Sequence, residues 1–221
     1  MEATALFTFK ERVLDLLFPP QCLKCSALVA ETGSLCSVCW LAISFIDGPG
    51  CHACGLPFEF DLGPEALCGA CSQDRPAYKR ARATMIYNDA SRDTILSFKH
   101  GDRTHAAAAY GKWLLRSGRE LIEDIDIIVP VPLHWSRLFH RRYNQAALLA
   151  LELGKLSAKP VETNVLLRSK KTASQGHKTR NQRRHNLQGA FSIQPKTQKK
   201  ILDQRILLID DVLTTGATVS A

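Results

Sequence analysis

Two adjacent carboxylates near the end of the chain follow a run of apolar residues and precede a loop of small and hydroxyl-bearing residues. Asp210 and Asp211 come directly after residues 206–209, a continuous apolar run typical of a buried parallel strand. Carboxylates at such a strand end can accept hydrogen bonds from a vicinal diol or hold a divalent cation through water. The loop offers hydroxyls and backbone N–H groups that suit a phosphate: Thr214, Thr215, Gly216, Ala217 and Thr218. A diol and a phosphate together indicate a ribose phosphate.

This segment resembles the motif with which type I phosphoribosyltransferases bind phosphoribosyl pyrophosphate (PRPP). The resemblance implies that Asp210 and Asp211 hold the ribose 2′- and 3′-hydroxyls, and that residues 214–218, here called the phosphate loop, hold the 5′-phosphate. The competing interpretation is a buried strand that ends in an ordinary helix cap. The Thr- and Gly-rich loop attached to the two carboxylates favours the phosphate site.

Eight cysteines form four Cys-x-x-Cys pairs, and all of them lie before residue 72. Two-residue spacing lets a tight turn present both sulfurs to one metal, so two pairs complete a tetrahedral zinc site. The pattern predicts two structural Zn²⁺ ions, with the pairs combined either sequentially or in an interleaved order. The predicted ligands are Cys22, Cys25, Cys36, Cys39, Cys51, Cys54, Cys68 and Cys71.

Other uses of these cysteines are disfavoured. The first 20 residues lack the basic-then-apolar order of a signal peptide, which argues against a secreted disulfide framework. Thioredoxin-type chemistry uses one such pair, and iron–sulfur clusters usually have other spacings. Four protein thiolates leave no coordination position open for catalysis. We therefore expect a double zinc ribbon that serves as a docking platform and that depends on metal for its folding.

Composition fits a cytoplasmic globular protein. Hydrophobic residues make up 45% and charged residues 23% of the 221 residues, and no apolar run is long enough to cross a membrane. The net charge of +8 is concentrated in residues 168–205, which contain eleven Lys and Arg against one acid, Asp203. Such a segment could contact phosphates or a nucleic-acid backbone, or could be a solvated loop.

Hydrophobic patterning predicts a parallel α/β sheet flanked by helices and preceded by the zinc module. We expect an N-terminal helix in residues 1–20, the zinc ribbons in 21–75 and an α/β domain in 76–221, with a linker at 76–80. Strands are predicted at 81–87, 125–131, 161–167 and 206–211. Helices are predicted at 90–100, 106–122 and 144–156, with a loop between residues 131 and 144.

Several further motifs follow in one order, and together they resemble the ComF family, a branch of phosphoribosyltransferase-like proteins linked to DNA uptake. These are a Lys-containing segment at 98–102, a Pro-Val-Pro loop at 129–133, the Arg-Arg-Tyr-Asn-Gln block at 141–145, Ser174-Gln175 and the block 183–191. The resemblance spans nearly the whole chain and implies a type I phosphoribosyltransferase fold. In the family a helix and at least one strand follow the phosphate loop, whereas this chain ends five residues after Gly216. We therefore expect a domain truncated at its C-terminus.

The resemblance also implies roles for individual residues. Pyrophosphate would be bound by the Pro-Val-Pro loop and the arginines after it, and a mobile loop at 170–184 would close over PRPP. Lys99 would reach a phosphate, although a surface lysine at a helix end is an equal alternative. Arg142 stands where the family usually has glycine. The residues concerned are Val131, Arg137, Arg141, Arg142, Lys99, Gln175 and Arg183.

Two functions from different classes fit these features. The first is an enzyme that binds PRPP with Mg²⁺ and transfers the phosphoribosyl group to an unidentified nitrogen acceptor, although no residue stands out as a general base. The second is a non-catalytic, zinc-dependent factor that binds single-stranded DNA or competence-machinery proteins and is regulated by PRPP. A scaffold that binds zinc alone is disfavoured by the intact acidic pair and phosphate loop.

Overall fold

The computed structural model describes residues 19–100, 104–170, 180–213, 216 and 218–219. The helix predicted near the N-terminus lies almost wholly outside these residues, as does most of the predicted mobile loop. The division of the chain at residue 75 stays a prediction.

The part of the chain that carries the cysteines, residues 21–75, is called here the zinc-binding half. It consists of two similar units, each built from two cysteine pairs and one short helix. Helix α1 (Ser37–Ala42) follows Cys36, and helix α2 (Gly69–Gln73) follows Cys68. A short antiparallel bridge closes the first turn of each unit, Gln21 with Leu28 and Gly50 with Pro57. The second cysteine pair of each unit therefore straddles the start of a helix.

The rest of the described chain alternates helices with short strands, as the patterning predicted. The elements are α3 (Asp89–His100), α4 (Ala106–Ser117), α5 (Arg119–Glu123), β1 (Ile127–Pro130), α6 (Trp135–Arg141), α7 (Gln145–Ser157), β2 (Leu166–Arg168), α8 (Arg180–Leu187), β3 (Phe191–Ile193), α9 (Gln198–Ile201) and β4 (Ile206–Ile209).

Strands β1 and β4 pair in parallel, with Ile127 opposite Ile206 and Pro130 opposite Ile209. Every residue of β1 is buried, which is why the strand reads as a continuous apolar run. Val161 adds a parallel bridge to Ile128 on the other side of β1. The predicted α/β architecture with a parallel sheet is confirmed. Strands β2 and β3 form a separate antiparallel pair.

The main core lies between helices α4 and α7 and the face of β1, and it includes a residue from the zinc-binding half. Leu23 is only 1% exposed and belongs to the same buried cluster as Phe98, Tyr110, Ile128 and Leu153. By contrast, the second zinc-binding unit has a small buried cluster of its own, formed by its cysteines and Ala53 with Phe58 and Leu67 at its edge.

The prediction of a strand at 81–87 was wrong. This segment is tied to the zinc-binding half by three backbone bonds, from Ala81 N–H to the Ala53 carbonyl (2.7 Å), from Ile46 N–H to Thr84 (3.0 Å) and from Ile86 N–H to Ser44 (2.9 Å). These local partners take the place of the central sheet. The segment therefore forms only an isolated bridge, between Met85 and Phe45.

Four other segments differ from the prediction. The helix predicted at 106–122 breaks at Gly118, a poor helix former, into α4 and α5. The loop predicted after β1 contains α6, whose first turn is capped by the His134 side chain accepting a bond from Ser136 N–H. The strand predicted at 161–167 is reduced to the bridge at Val161 and to β2, and residues 180–184 of the predicted mobile loop are helical.

Candidate functional site

The eight cysteines gather into two sets of four, in sequential order. Cys22, Cys25, Cys36 and Cys39 form the first zinc site, and Cys51, Cys54, Cys68 and Cys71 form the second. In each set all four sulfurs lie within 4.8 Å of one another. Tetrahedral zinc with bonds of about 2.3 Å requires sulfurs roughly 3.8 Å apart. The Cys25–Cys36 and Cys54–Cys68 sulfurs are both 3.7 Å apart, so the donor sets fit Zn²⁺.

Backbone N–H groups prepare the buried sulfurs of both sites to carry negative charge. Cys36 N–H donates to the Cys22 sulfur, and Cys68 N–H donates to the Cys51 sulfur, both at 3.3 Å. Burial alone would raise the pKa of Cys22 and Cys51, but such backbone bonds outweigh it and lower both pKa values to about 6. The two sites therefore share one local design.

The two carboxylates predicted from the sequence lie where β1 and β4 end together. Val131 N–H donates to the Ile209 carbonyl at 2.9 Å, which places the start of the Pro-Val-Pro loop beside Asp210. Asp211 N–H donates to Asp210 Oδ1 at 2.8 Å. The carboxyl ends of parallel strands are the usual ligand-binding edge of such sheets.

Lys99 completes a compact charged group at this edge. Its Nζ lies 2.9 Å from Asp211 Oδ2, and the exposed fractions of the two side chains are only 18% and 22%. We call Asp210, Asp211 and Lys99 the acidic edge. Lys99 lies near the end of α3, but its ion pair and low exposure distinguish it from the surface lysine that the sequence left as an alternative.

Residues 143–145 support the acidic edge through hydrogen bonds from their side chains to backbone carbonyls. Tyr143 Oη donates to the Phe98 carbonyl at 2.9 Å, and Gln145 Nε2 donates to the Lys99 carbonyl at 3.2 Å. Asn144 caps α7 and donates through Nδ2 to the Val131 carbonyl at 3.0 Å. Three consecutive residues thus fix both the segment that carries Lys99 and the Pro-Val-Pro loop.

Burial raises the pKa of Asp210 to about 6, and the neighbouring charge of Asp211 adds to this effect. The Asp211 N–H bond and the positive charges of Lys99 and Arg168 act in the opposite direction but do not cancel it. Asp210 is therefore a carboxylate at neutral pH that carries a desolvation cost. Perturbed acids of this kind are enriched at functional sites.

Arg168, at the end of β2, is a member of this site that the sequence analysis missed. Its guanidinium stacks 5.2 Å from the centre of the Phe191 ring on β3. Burial lowers its pKa, the charge of Arg137 lowers it further, and the charge of Asp210 raises it. The charges of Arg168 and Asp210 act on each other's pKa, which places Arg168 beside the acidic edge, with Arg137 near Arg168. The available sequence signal was an arginine at the end of an apolar segment, directly before the lysine-rich stretch.

The three arginines predicted to bind pyrophosphate lie in α6 or directly after it. Arg137 is partly buried in α6, and its pKa is lowered by that burial and by the charge of Arg141. Arg141 donates to Gln145 Oε1 at 3.3 Å. Arg142 ends α6 at φ 64°, which explains why glycine suits this position, and its side chain lines a surface cavity beside α6.

Part of the phosphate loop can be located. Gly216 is buried at φ 70°, and its carbonyl accepts a bond from Val219 N–H at 3.0 Å. Thr218 is half-buried. Thr214, Thr215, Ala217 and Gln175 lie outside the described residues, and Arg183 belongs to α8.

Within the described residues, no helix is both long and apolar enough to cross a membrane.

Comparison with known proteins extends these observations. Residues 13–75 match the family described as double zinc ribbon domain. Competence protein F of Haemophilus influenzae is 30% identical over 207 residues, which are 90% of this chain and 87% of that protein. The DNA utilization protein YhgH of Salmonella typhimurium is 31% identical over 215 residues, 93% of this chain and 89% of that protein. Competence protein ComFC of Bacillus subtilis is 28% identical over 200 residues, which are 87% of this chain and 77% of that protein. The similarity reaches far beyond the zinc sites.

Proposed function

We propose that the acidic edge of this chain, which belongs to the ComF family of competence proteins, binds PRPP or a related ribose phosphate. The domain that carries the edge is, in this proposal, a type I phosphoribosyltransferase fold. The relatives are named for competence and DNA utilization. We extend the proposal to a role in DNA uptake or nucleotide metabolism, in the cytoplasm.

The observation that carries the proposal is the Lys99–Asp211 contact at the shared end of β1 and β4. Two carboxylates can accept hydrogen bonds from the two hydroxyls of a ribose, as expected for Asp210 and Asp211. The cations Lys99 and Arg168 beside them, with Arg137 near Arg168, can take up phosphate charge, and a guanidinium can do so with two parallel bonds. The phosphate loop follows within a few residues.

Mg²⁺ fits the same edge. Ionised Asp210 and Asp211 offer the hard oxygen ligands that this ion prefers, directly or through water. Bound together with PRPP, the ion would neutralise part of the pyrophosphate charge. The residues of the chain would hold the ribose and the phosphates in place around it.

Transfer of the phosphoribosyl group would follow from this positioning. The bond between C1 of the ribose and the pyrophosphate oxygen breaks, and the arginines and Lys99 stabilise the charge that builds on the leaving group. A nitrogen nucleophile of the acceptor then forms a bond to C1. Exclusion of water during this step would prevent simple hydrolysis.

Calorimetric titration of PRPP with Mg²⁺ into the zinc-loaded chain tests the proposal. We expect saturable binding by the wild type and none by Asp210→Asn/Asp211→Asn. The matched control is Asp126→Asn, because Asp126 pairs with Arg205 at the opposite end of the same two strands (2.9 Å). Absence of binding by the wild type, or equal loss in the control, would overturn the proposal.

A second candidate, binding of single-stranded DNA, is favoured by helix α6. Trp135 and Phe139 are 74% and 81% exposed and lie four residues apart on one face of the helix. With Leu138, His140 and Arg142 they line a surface cavity of about 810 Å³. Exposed aromatic rings beside arginines are the elements that stack bases and contact phosphates in single-strand binders.

Fluorescence anisotropy with a labelled oligonucleotide tests this candidate. Trp135→Ala and Phe139→Ala should each weaken binding by roughly 10-fold, because one stacked base contributes about 1–3 kcal/mol. Phe60→Ala removes an equally exposed phenylalanine from the zinc-binding half and should have no effect. Affinity should also fall steeply with salt. Salt-insensitive binding would exclude this function.

A further inference from the structure

Gly216 in the phosphate loop is covered by a residue that does not belong to the α/β sheet. The ring of Tyr78 lies so close to Gly216 that a Cβ at the glycine would come within 2.9 Å of Cε1 and 3.3 Å of Oη. The three atoms nearest to that position all belong to Tyr78. Tyr78 is half-buried, and Gly216 is buried. The contact is therefore close packing of an aromatic ring on loop backbone.

The segment that carries Tyr78 is anchored at both ends to the second zinc site. It begins shortly after α2, which contains Cys71, the last ligand of that site. Three residues beyond Tyr78, Ala81 N–H donates to the carbonyl of Ala53 at 2.7 Å. Ala53 is fully buried and lies between the ligands Cys51 and Cys54. Tyr78 is thus held between two ligand-bearing segments of one metal site.

The next residue of the segment strengthens the second anchor. Arg82 Nη1 donates to the His52 carbonyl at 3.2 Å, again inside the Cys51–Cys54 turn. Gly55, at φ 72°, packs so tightly on the Ala81 carbonyl that a Cβ there would approach it to 2.7 Å. Since zinc fixes the conformation of this turn, it also fixes where the segment leaves it.

We propose that Tyr78 is a positioning residue of the ribose-phosphate site, held over the phosphate loop by the second zinc site. The inference rests on the ribose-phosphate function proposed above and adds a role for the zinc module within it. The ring keeps Gly216 in its left-handed conformation, so that the loop backbone is arranged before the phosphate arrives. The second zinc ion thereby becomes a determinant of PRPP affinity, and the coupling is reciprocal.

Calorimetry with PRPP and Mg²⁺ separates this role from a general effect on folding. Tyr78→Ala should weaken binding at least about 10-fold, and Tyr78→Phe, which keeps the ring, should stay within roughly threefold of the wild type. Tyr87→Ala is the matched control, because Tyr87 is a surface tyrosine in the same part of the chain. Zinc content and urea unfolding of each variant should match the wild type.

A double-mutant cycle tests the contact itself. Gly216→Ala should weaken PRPP binding by about 100-fold while leaving it measurable, because its Cβ meets the Tyr78 ring and because alanine disfavours φ 70°. In the Tyr78→Ala background the same substitution should cost less, since the steric part has been removed. Equal costs in the two backgrounds would overturn the proposed contact.

The role of zinc is tested by combining Tyr78→Ala with Cys54→Ser in the second site. If zinc acts through Tyr78, Cys54→Ser alone should weaken PRPP binding about as much as Tyr78→Ala, and the double variant should be no weaker than either. Fully additive losses would overturn this link. Wild-type affinity in Tyr78→Ala would overturn the inference alone, whereas absence of binding by the wild type would overturn the proposed function and the inference with it.

Discussion

The zinc sites and the acidic edge both concentrate negative charge, but they compensate it in different ways. Each zinc site gathers four sulfurs around the position of one cation and adds backbone N–H bonds to the buried ones. The acidic edge sets two carboxylates against Lys99, and the pKa of Asp210 is still raised to about 6. Charge in the zinc sites is therefore structural, whereas charge at the edge carries a cost that a bound ligand can offset.

This difference predicts opposite signs for the removal of one negative group. Loss of a thiolate should destabilise the protein, because the metal site supports folding. Loss of the Asp210 charge should stabilise the protein while it removes ligand binding, as is common where stability and function compete. The variants below test this contrast.

The largest effect is expected for Cys22→Ser. It should lower the free energy of unfolding by on the order of 5 kcal/mol or more, because the first zinc site is joined to the main core through Leu23. Cys51→Ser should lose one zinc ion but should affect the main urea transition less, since the second site has its own small cluster. If both variants shifted the main urea transition equally, the first zinc site would not support the main core more than the second site does.

Leu23→Ala tests the connection without touching a zinc ligand. We expect a loss of about 3 kcal/mol in urea unfolding, because a fully buried leucine leaves a cavity in the core. Leu28→Ala is the control, since Leu28 is 70% exposed in the same turn of chain, and it should change stability by less than about 0.5 kcal/mol. If Leu23→Ala also lowers the free energy of unfolding by less than about 0.5 kcal/mol, the zinc-binding half does not contribute to the stability of the main core through Leu23.

Lys99→Met removes the cation from the acidic edge. We expect a loss of about 1–2 kcal/mol at neutral pH, because the two carboxylates are left without their nearest positive charge in a partly enclosed site. The pKa of Asp210 should rise further, since Lys99 is one of the charges that lower it. Urea unfolding and NMR titration of the carboxyl groups measure both changes. An unchanged pKa of Asp210 would contradict the role assigned to Lys99.

Asp210→Asn should give the smallest change, with the opposite sign. Because the folded-state pKa of about 6 lies above the usual value of 3.8, the wild type is destabilised once pH rises through this interval. The interval of about 2 pH units is equivalent to at most about 3 kcal/mol, and because the side chain is only half-buried we expect a fraction of this. The variant should be more stable by about 1 kcal/mol above pH 6, and the advantage should disappear towards pH 4. An advantage that does not depend on pH would contradict the charge-based explanation.

The features that sequence analysis predicted well are those whose partners are close in the chain. Cys22 and Cys25 act through a two-residue turn, and the buried strand before Asp210 is visible as an uninterrupted apolar run. Sequence alone left open how the cysteine pairs combine, because that depends on how the two units fold. The structure resolves it as sequential.

The features that were missed depend on contacts between distant segments. Arg168 reaches the acidic edge because β2 pairs with β3, and Tyr78 reaches Gly216 because the second zinc site fixes its segment. The segment at 81–87 has strand-like residues, but its hydrogen-bond partners lie at residues 44–46 and 53. Local propensity could not reveal these partners, since tertiary contacts decided the outcome.

Urea unfolding at 25 °C of the wild type and of Asp210→Asn, with and without Mg²⁺ and PRPP, tests most directly whether the acidic edge is a ribose-phosphate site. Without ligand the variant should be the more stable protein. With PRPP at about 100 times its dissociation constant the wild type should gain about 2.7 kcal/mol and the variant nothing, so that the order reverses. An equal gain in both proteins, or no gain in the wild type, would contradict a ribose-phosphate site at the acidic edge.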